Sequence, residues 1–326
     1  MKKYYFFAVK LIITVLIFIL LSKNIDWVSV GNVLINISIG AISLSIFIIT
    51  FQNLLATFRW LVILKAVETI AENKHSFPFW EAVRYFMAGL FLNQVLPSTV
   101  GGDGLRVWFM HQRGTDVHHA MVSIVLERVL TLFGCLLLIF LTQPFYYLVP
   151  AENIMIWVFY LVFFGLAVGV AVVTIVGERI CMISQWSFLM KITKLFTLLK
   201  QYFIVPSKLV APIVLSIGGF ILMTIVVYIY ALALGINESI WIFFVLCPPV
   251  FLLSALPISI SGWGVREGAM IVALGYLGVS PEKSLAISIA LGITIIIGAL
   301  PGSMFLLRGA KKAKPNVAIY DKRGNC

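Results

Sequence analysis

The chain has 326 residues, 61% of them hydrophobic and 11% charged. A soluble domain carries about a quarter charged residues, so the composition excludes an ordinary soluble enzyme and predicts an all-α, polytopic membrane protein. The net charge of +11 reads as the Lys/Arg excess of cytoplasmic loops. It does not read as a nucleic-acid surface, because no basic patch with stacking aromatics stands outside the apolar runs. Cys135, Cys181, Cys247 and Cys326 form no Cys-x-x-Cys pair and no disulfide framework; they read as packing residues and a free tail thiol.

Met1-Lys2-Lys3 opens onto an apolar run to residue 21 with no small-residue cleavage site after it. This predicts a first span with its lysines inside rather than a signal peptide. Residues 22–37 carry only Lys23 and Asp26 and suit the outer face. A second span is expected over 40–61, after which Arg59, Lys65, Lys74 and Arg84 place the connector inside. Residues 82–112 are flanked by basic residues on both sides and read as a re-entrant hairpin with its tip at 97–104. Its exit leg of about ten residues, near 15 Å at helical rise, reaches half depth only. A third span follows over 120–141, an outer loop over 144–153, a fourth span over 154–176, and a basic interfacial helix within 177–208. A fifth span is expected over 211–233. Residues 241–256, bent by Pro248-Pro249, and 268–277 form the legs of a second hairpin. The last span is expected over 285–307, before a basic tail at 311–326.

Both hairpin tips carry one pattern, L-P-x-[ST]-x-x-G-x-G-x-R, at 96–106 and again at 256–266. Proline lacks a backbone donor and glycine loosens the backbone, so helix is not expected to run through either copy. Counting sides from the basic residues, the first hairpin enters from inside and the second from outside. The chain then reads as a single transmembrane domain, 1–310, of about six full spans plus two re-entrant helical hairpins in an inverted repeat with halves at 1–143 and 154–308. Paired helix breaks of this kind point to a transport site at the bilayer midplane.

An ionisable residue within a membrane segment is a functional candidate by default. Arg106 and Arg266 occupy the same place in the two copies, each opening a helical leg. A helix N-terminus and a guanidinium fork together suit a phosphate or carboxylate. The alternative is that each arginine snorkels to the interface or pairs with a glutamate. Glu127 and Arg128 are adjacent on a helix and point about 100° apart. Arg128 is expected at a head group and Glu127 as the counterion of Arg106 or Arg266, or else the two fix helix packing. Asp103 stands where the second copy has Trp263, which suggests proton or cation coupling, or a turn aspartate bonded to its own backbone. Asn93, Gln94, Ser98, Thr99, Ser259 and Ser261 can satisfy broken backbone. His118-His119 have no ligand partners at metal spacing. No metal or cofactor is expected, and no P-loop, G-x-S-x-G or H-E-x-x-H occurs.

The runs N-Q-V-L-P-S-T-V-G-G-D-G-L-R-V-W at 93–108, E-R at 127–128 and L-P-I-S-I-S-G-W-G-V-R-E-G-A at 256–269 resemble the lysylphosphatidylglycerol synthase transmembrane-region, or flippase-like, family. The resemblance covers nearly the whole chain. It implies an inner-membrane protein that moves a lipid with a polar head between leaflets, with both termini cytoplasmic by the charge count above. Carried over by position, the matching residues are Asn93, Pro97, Gly101, Gly102, Arg106, Glu127, Arg128, Pro257, Gly262, Gly264, Arg266 and Glu267. The full-length synthases add a soluble aminoacyltransferase domain, and here about twenty residues follow the last expected span, so transport is expected rather than lipid modification. Membrane lipids are the expected partners, bound by Arg106, Arg128, Arg266, Asn93 and the glycines 101, 102, 262 and 264. Asp103, Glu127 and Glu267 are the expected coupling groups or counterions. Two other readings remain open: a membrane-embedded transferase with Glu127 or Glu267 as base, and an ion-coupled transporter of a small anion.

Overall fold

A computed structural model describes residues 11, 12, 14, 16–19, 25–70, 77–96, 100–148, 164–165, 197–255, 259 and 261–312. Among them every regular element is helical: α1 (Trp27–Ile35), α2 (Ile39–Ile70), α3 (Phe79–Val95), α4 (Val100–Gln112), α5 (Val117–Leu141), a 3₁₀ segment (Gln143–Leu148), α6 (Ser207–Ala233), α7 (Ile240–Ala255), α8 (Val265–Gly275), α9 (Pro281–Ala299) and α10 (Pro301–Lys312). Four segments are long and apolar enough to cross a bilayer: α2, α5, α6 and the run Pro281–Leu306. The chain is an all-helical, polytopic membrane protein. The expected first span falls mostly outside the described residues, though 11, 12, 14 and 16–19 are helical. The expected fourth span and most of the interfacial helix also lie outside them; 197–203 is helical.

Local chemistry sets the helix starts. Asp26 accepts from the Val28 N–H at 3.0 Å and from the Ser29 hydroxyl at 2.6 Å, capping α1. Asp116 accepts from the His118 N–H and caps α5. Ser280 caps α9, with Pro281 in the first turn where its missing donor costs nothing. Each cap occupies a donor that the first helical turn otherwise leaves unpaired.

The helices associate through small residues and a few polar contacts, the usual means of packing in lipid. α2 lies along α6 and also touches α3, α5 and α9. Gly298 of α9 lets α2 approach, since a Cβ there would stand 2.8 Å from Ile49 Cγ2, and Asn53 Nδ2 donates to the Gly298 carbonyl at 3.2 Å. Gly302 of α10 is tighter still: a Cβ would lie 2.0 Å from the Met87 carbonyl oxygen of α3. Tyr230 of α6 and Thr294 of α9 share a hydroxyl hydrogen bond. The largest apolar core gathers α6, α7, α8 and α9 around Phe243, Val227, Met270 and Leu291. A second, around Trp60, Phe86 and Met110, joins α2, α3 and α4.

Several boundaries differ from the sequence-based expectation. The second span does not stop at residue 61; α2 runs 32 residues to Ile70, because Arg59 is neutralised inside the protein. The first helix break is shorter than 97–104, since α4 already begins at Val100 and contains Gly101, Gly102 and Gly104. Those glycines sit in helix because packing, not backbone freedom, demands them at 101 and 102. Pro248-Pro249 do not interrupt α7, which stays one helix over Ile240–Ala255. The last span starts at Pro281 rather than 285, and it changes element at Leu300-Pro301 instead of running unbroken. Residues 22–37, assigned from their charge to the outer face, contain the helix α1.

Candidate functional site

The two copies of the pattern lie at the tips of two helical hairpins. In the first, Arg113 reaches back from the end of α4 to Glu81 and Tyr85 at the start of α3. Tyr85 and Phe109 stack with ring centroids 4.7 Å apart. Nearer the tip, a Cβ on Gly102 would stand 2.0 Å from the Gly89 carbonyl oxygen, and one on Gly101 would stand 2.4 Å from Leu96 Cδ1. The glycines therefore let α3 and α4 touch, backbone to backbone. Asn93 Oδ1 accepts from the Gly102 N–H at 2.8 Å, satisfying one donor that the break frees.

The second hairpin solves the same problem differently. Gly264, at φ +85°, opens α8, a conformation that side-chain-bearing residues rarely adopt. Its N–H donates to Glu267 Oε2 at 2.6 Å. The hairpins meet at their tips: the Ser261 hydroxyl donates to the Asn93 carbonyl oxygen at 3.1 Å. Ser261 itself is at φ +50°, in the left-handed region where a non-glycine residue is strained.

Arg106 is 4% exposed and its Nη2 donates to Glu127 Oε2 at 2.6 Å. Its guanidinium lies 4.2 Å from the Trp60 ring centroid and 4.7 Å from that of Phe86, so cation–π attraction supplements the ion pair. Glu127 also accepts from Arg59 Nη2 at 3.2 Å, and Arg59 Nη1 donates to the Ser216 hydroxyl at 3.3 Å. Asp103, in the first turn of α4 where the helix dipole favours an anion, accepts from Arg106 at 3.5 Å and from Arg128 Nη2 at 2.9 Å. Around the first tip, three guanidinium groups thus face two carboxylates in one connected network. Arg59, Arg106, Glu127 and Asp103 are shielded, while the Arg128 side chain is 53% exposed.

Around the second tip one guanidinium meets one carboxylate. Arg266 Nη2 donates to Glu267 Oε1 at 2.7 Å, and its Nε donates to Ser288 Oγ at 3.2 Å. The Ser288 hydroxyl in turn donates to Glu267 Oε1 at 3.0 Å. Trp263 lies under the guanidinium, 4.8 Å to its ring centroid. Gly292 of α9 makes room, because a Cβ there would stand 2.3 Å from Arg266 Nη2. Gly262, at φ +80°, turns the chain against Ser254.

The sequence-derived residues therefore gather in two clusters. Asp103, Arg106, Glu127 and Arg128 form one, while Arg266 and Glu267 form the other. Glu127 serves as counterion to Arg106, and Arg266 takes its neighbour Glu267. Asn93, Gly101 and Gly102 clasp the first hairpin. Sequence reasoning missed Arg59 and Ser216. A usable signal was present for Arg59: it stands inside an unbroken apolar run, T-F-R-W-L-V-I-L at 57–64. Pro97, Ser98, Thr99 and Pro257 lie outside the described residues. No group of three or more His, Cys, Asp or Glu able to hold a metal occurs among the described residues.

The sequence profile of the lysylphosphatidylglycerol synthase TM region matches residues 7–302. The chain belongs to this family. The match takes in both hairpins, Glu127-Arg128 and all of α2 through α9, so it ties the chain to a family of membrane proteins related to lipid handling. A search of curated proteins found no match to the chain.

Proposed function

We propose that this member of the lysylphosphatidylglycerol synthase TM family is a lipid translocator. It moves a lipid with an anionic or phosphate-containing head between leaflets, by alternating access around the two hairpins, and it does not modify the lipid. The observation that carries the reading is the charge imbalance at the first tip. Among the described residues three guanidinium groups stand against two carboxylates; Arg59 and Arg106 share Glu127, and Arg128, the exposed member of this net-positive network, is the one a head group can reach. A monoanionic head group neutralises that excess, whereas a zwitterionic or cationic head does not. Asp103 holds Arg128 at 2.9 Å and acts as a stand-in anion that the head displaces. The protein sits in the cell membrane with both termini cytoplasmic, as the basic connectors favour.

The test is transfer of fluorescent phosphatidylglycerol and phosphatidylcholine across proteoliposome bilayers, read by quenching of the outer leaflet. The wild type should accelerate the anionic lipid preferentially. Arg128→Gln should slow it about tenfold, the equivalent of one contact of about 1.4 kcal/mol. If the wild type accelerates neither lipid, the reading fails. Appearance of a modified lipid would favour the transferase instead, and uptake of free phosphate would favour the small-anion transporter.

A further inference from the structure

A cleft of about 400 Å³ that the charge clusters do not use runs along the second hairpin, with Ile17 and Tyr146 completing its lining. Its long walls are one stripe on each leg: Val245, Pro249 and Leu253 on α7, and Gly264, Gly268 and Val272 on α8. On both helices these residues recur every four positions, so each set lies on one face. The cleft thus runs along the hairpin for about two turns, on the order of 12 Å. Its lining is almost wholly carbon, which offers water none of the two to four polar partners it needs. Its volume lies within the range of about 300–1,000 Å³ typical of ligand sites.

Two further observations bear on what fills it. First, the cleft opens sideways. Leu253 and Val272, at its rim, are 42% and 55% exposed, and in a polytopic membrane protein such an apolar rim faces hydrocarbon. Secondly, Gly268 is unlike the packing glycines. A Cβ on Gly102, Gly292 or Gly302 would collide with a neighbour, whereas one on Gly268 meets nothing within 4 Å. Its missing side chain is space, not helix contact. At its tip end the cleft reaches Gly264, whose N–H Glu267 holds beside Arg266.

We propose that this cleft seats one hydrocarbon chain of a bilayer lipid, with the polar end of the lipid directed toward the hairpin tips. The inference deepens the translocator reading and rests on it for the identity of the lipid as cargo, but occupancy of the cleft is testable without transport. The probe is phosphatidylglycerol with a diazirine at the middle of one acyl chain, photolysed with the full chain in nanodiscs and mapped by peptide mass spectrometry. Adducts should concentrate on 245–253 and 264–276. Gly268→Leu should lower them about fivefold, while Gly275→Leu, on the same helix but outside the lining, should leave them unchanged. Val272→Trp at the rim is the second variant should Gly268→Leu fail to fold. Adducts spread evenly over other helices overturn the proposal, as does labelling that neither variant changes. A cleft filled by the protein's own chain would give no adducts there and would overturn it too. Labelled cleft without lipid transfer would sink the translocator reading and leave the chain-binding site standing; transfer with an unlabelled cleft would do the reverse.

Discussion

Replacing Glu127 with glutamine isolates what the buried network needs. The carboxylate accepts from Arg106 at 2.6 Å and Arg59 at 3.2 Å. Glutamine keeps the shape and one acceptor but removes the charge, and its amide nitrogen must turn a donor toward one guanidinium. The network then holds three positive charges against one. Removing one partner of a buried pair costs about 3–5 kcal/mol, and an unpaired arginine at membrane depth costs at least about 2.5–3.5 kcal/mol on insertion scales. Both routes give a loss of roughly 3–4 kcal/mol, a large fraction of a total near 5–15 kcal/mol. The assay is unfolding in mixed micelles with rising SDS, followed by circular dichroism. Arg59→Met removes the orphaned charge, so Arg59→Met/Glu127→Gln should be more stable than Glu127→Gln alone, with a coupling of about 0.5–3 kcal/mol. If Glu127→Gln costs less than about 1 kcal/mol, or the double variant is simply additive, the network is not the structural unit described above.

Arg128→Gln should separate function from folding. Its half-exposed guanidinium makes one ion pair, so stability should change by less than about 1 kcal/mol in the same SDS assay while lipid transfer falls. Gly102→Ala places a Cβ 2.0 Å from the Gly89 carbonyl oxygen, and this overpacking should cost about 1–3 kcal/mol in thermal unfolding. Asn93→Ala should cost about 1–3 kcal/mol, because it strips the Gly102 N–H of its acceptor inside the protein. Outside the spans, bonds from Ser29 and Val28 hold the Asp26 carboxyl below its usual range. A depressed carboxylate pKa means the cap stabilises α1 above the unfolded value of about 3.9 and is lost as pH falls through the folded one. The protection factor at Val30, its exchange rate relative to the unstructured rate at the same pH, should therefore fall in acid, and Asp26→Ala should abolish that dependence.

What was legible in the sequence was what periodicity and punctuation encode. Runs of apolar residues located α5, α6 and α7 to within a few positions, and the two L-P-x-[ST] copies located both helix breaks. What was not legible depended on partners distant in the chain. Arg59 looked like the cytoplasmic edge of a span because a lone arginine usually marks one; only Glu127, 68 residues away, makes it an interior residue and lets α2 continue. The glycines at 101 and 102 looked like loop because glycine ordinarily breaks helix. Their helical setting follows from the approach of α3, which no local pattern announces. Leu300-Pro301 was absorbed into one span because proline at a helix start and proline inside a span read alike until the neighbouring helix is placed.

The difference between the halves bears directly on mechanism. Arg106 and Arg266 hold equivalent positions, each on a glutamate and each over a tryptophan, Trp60 and Trp263. Yet Glu127 comes from a separate helix, whereas Glu267 is the adjacent residue and also holds the Gly264 N–H. The ion pair itself therefore lies within one hairpin, and Ser288 of α9 ties it to the neighbouring helix by hydrogen bonds alone. The first pair bridges α4 and α5, so any motion of the first hairpin against α5 must carry, stretch or exchange an ion pair. Such an exchange is costly in hydrocarbon unless another anion takes over. Asp103, on the first hairpin, already pairs with Arg128, and under the translocator proposal a lipid phosphate competes with it there. Under that proposal, alternation between them would give the first hairpin two states of similar charge balance. The translocator proposal then requires the cargo's charge for the motion as well as for recognition: an uncharged lipid analogue should bind the protein's apolar surface and still fail to be moved.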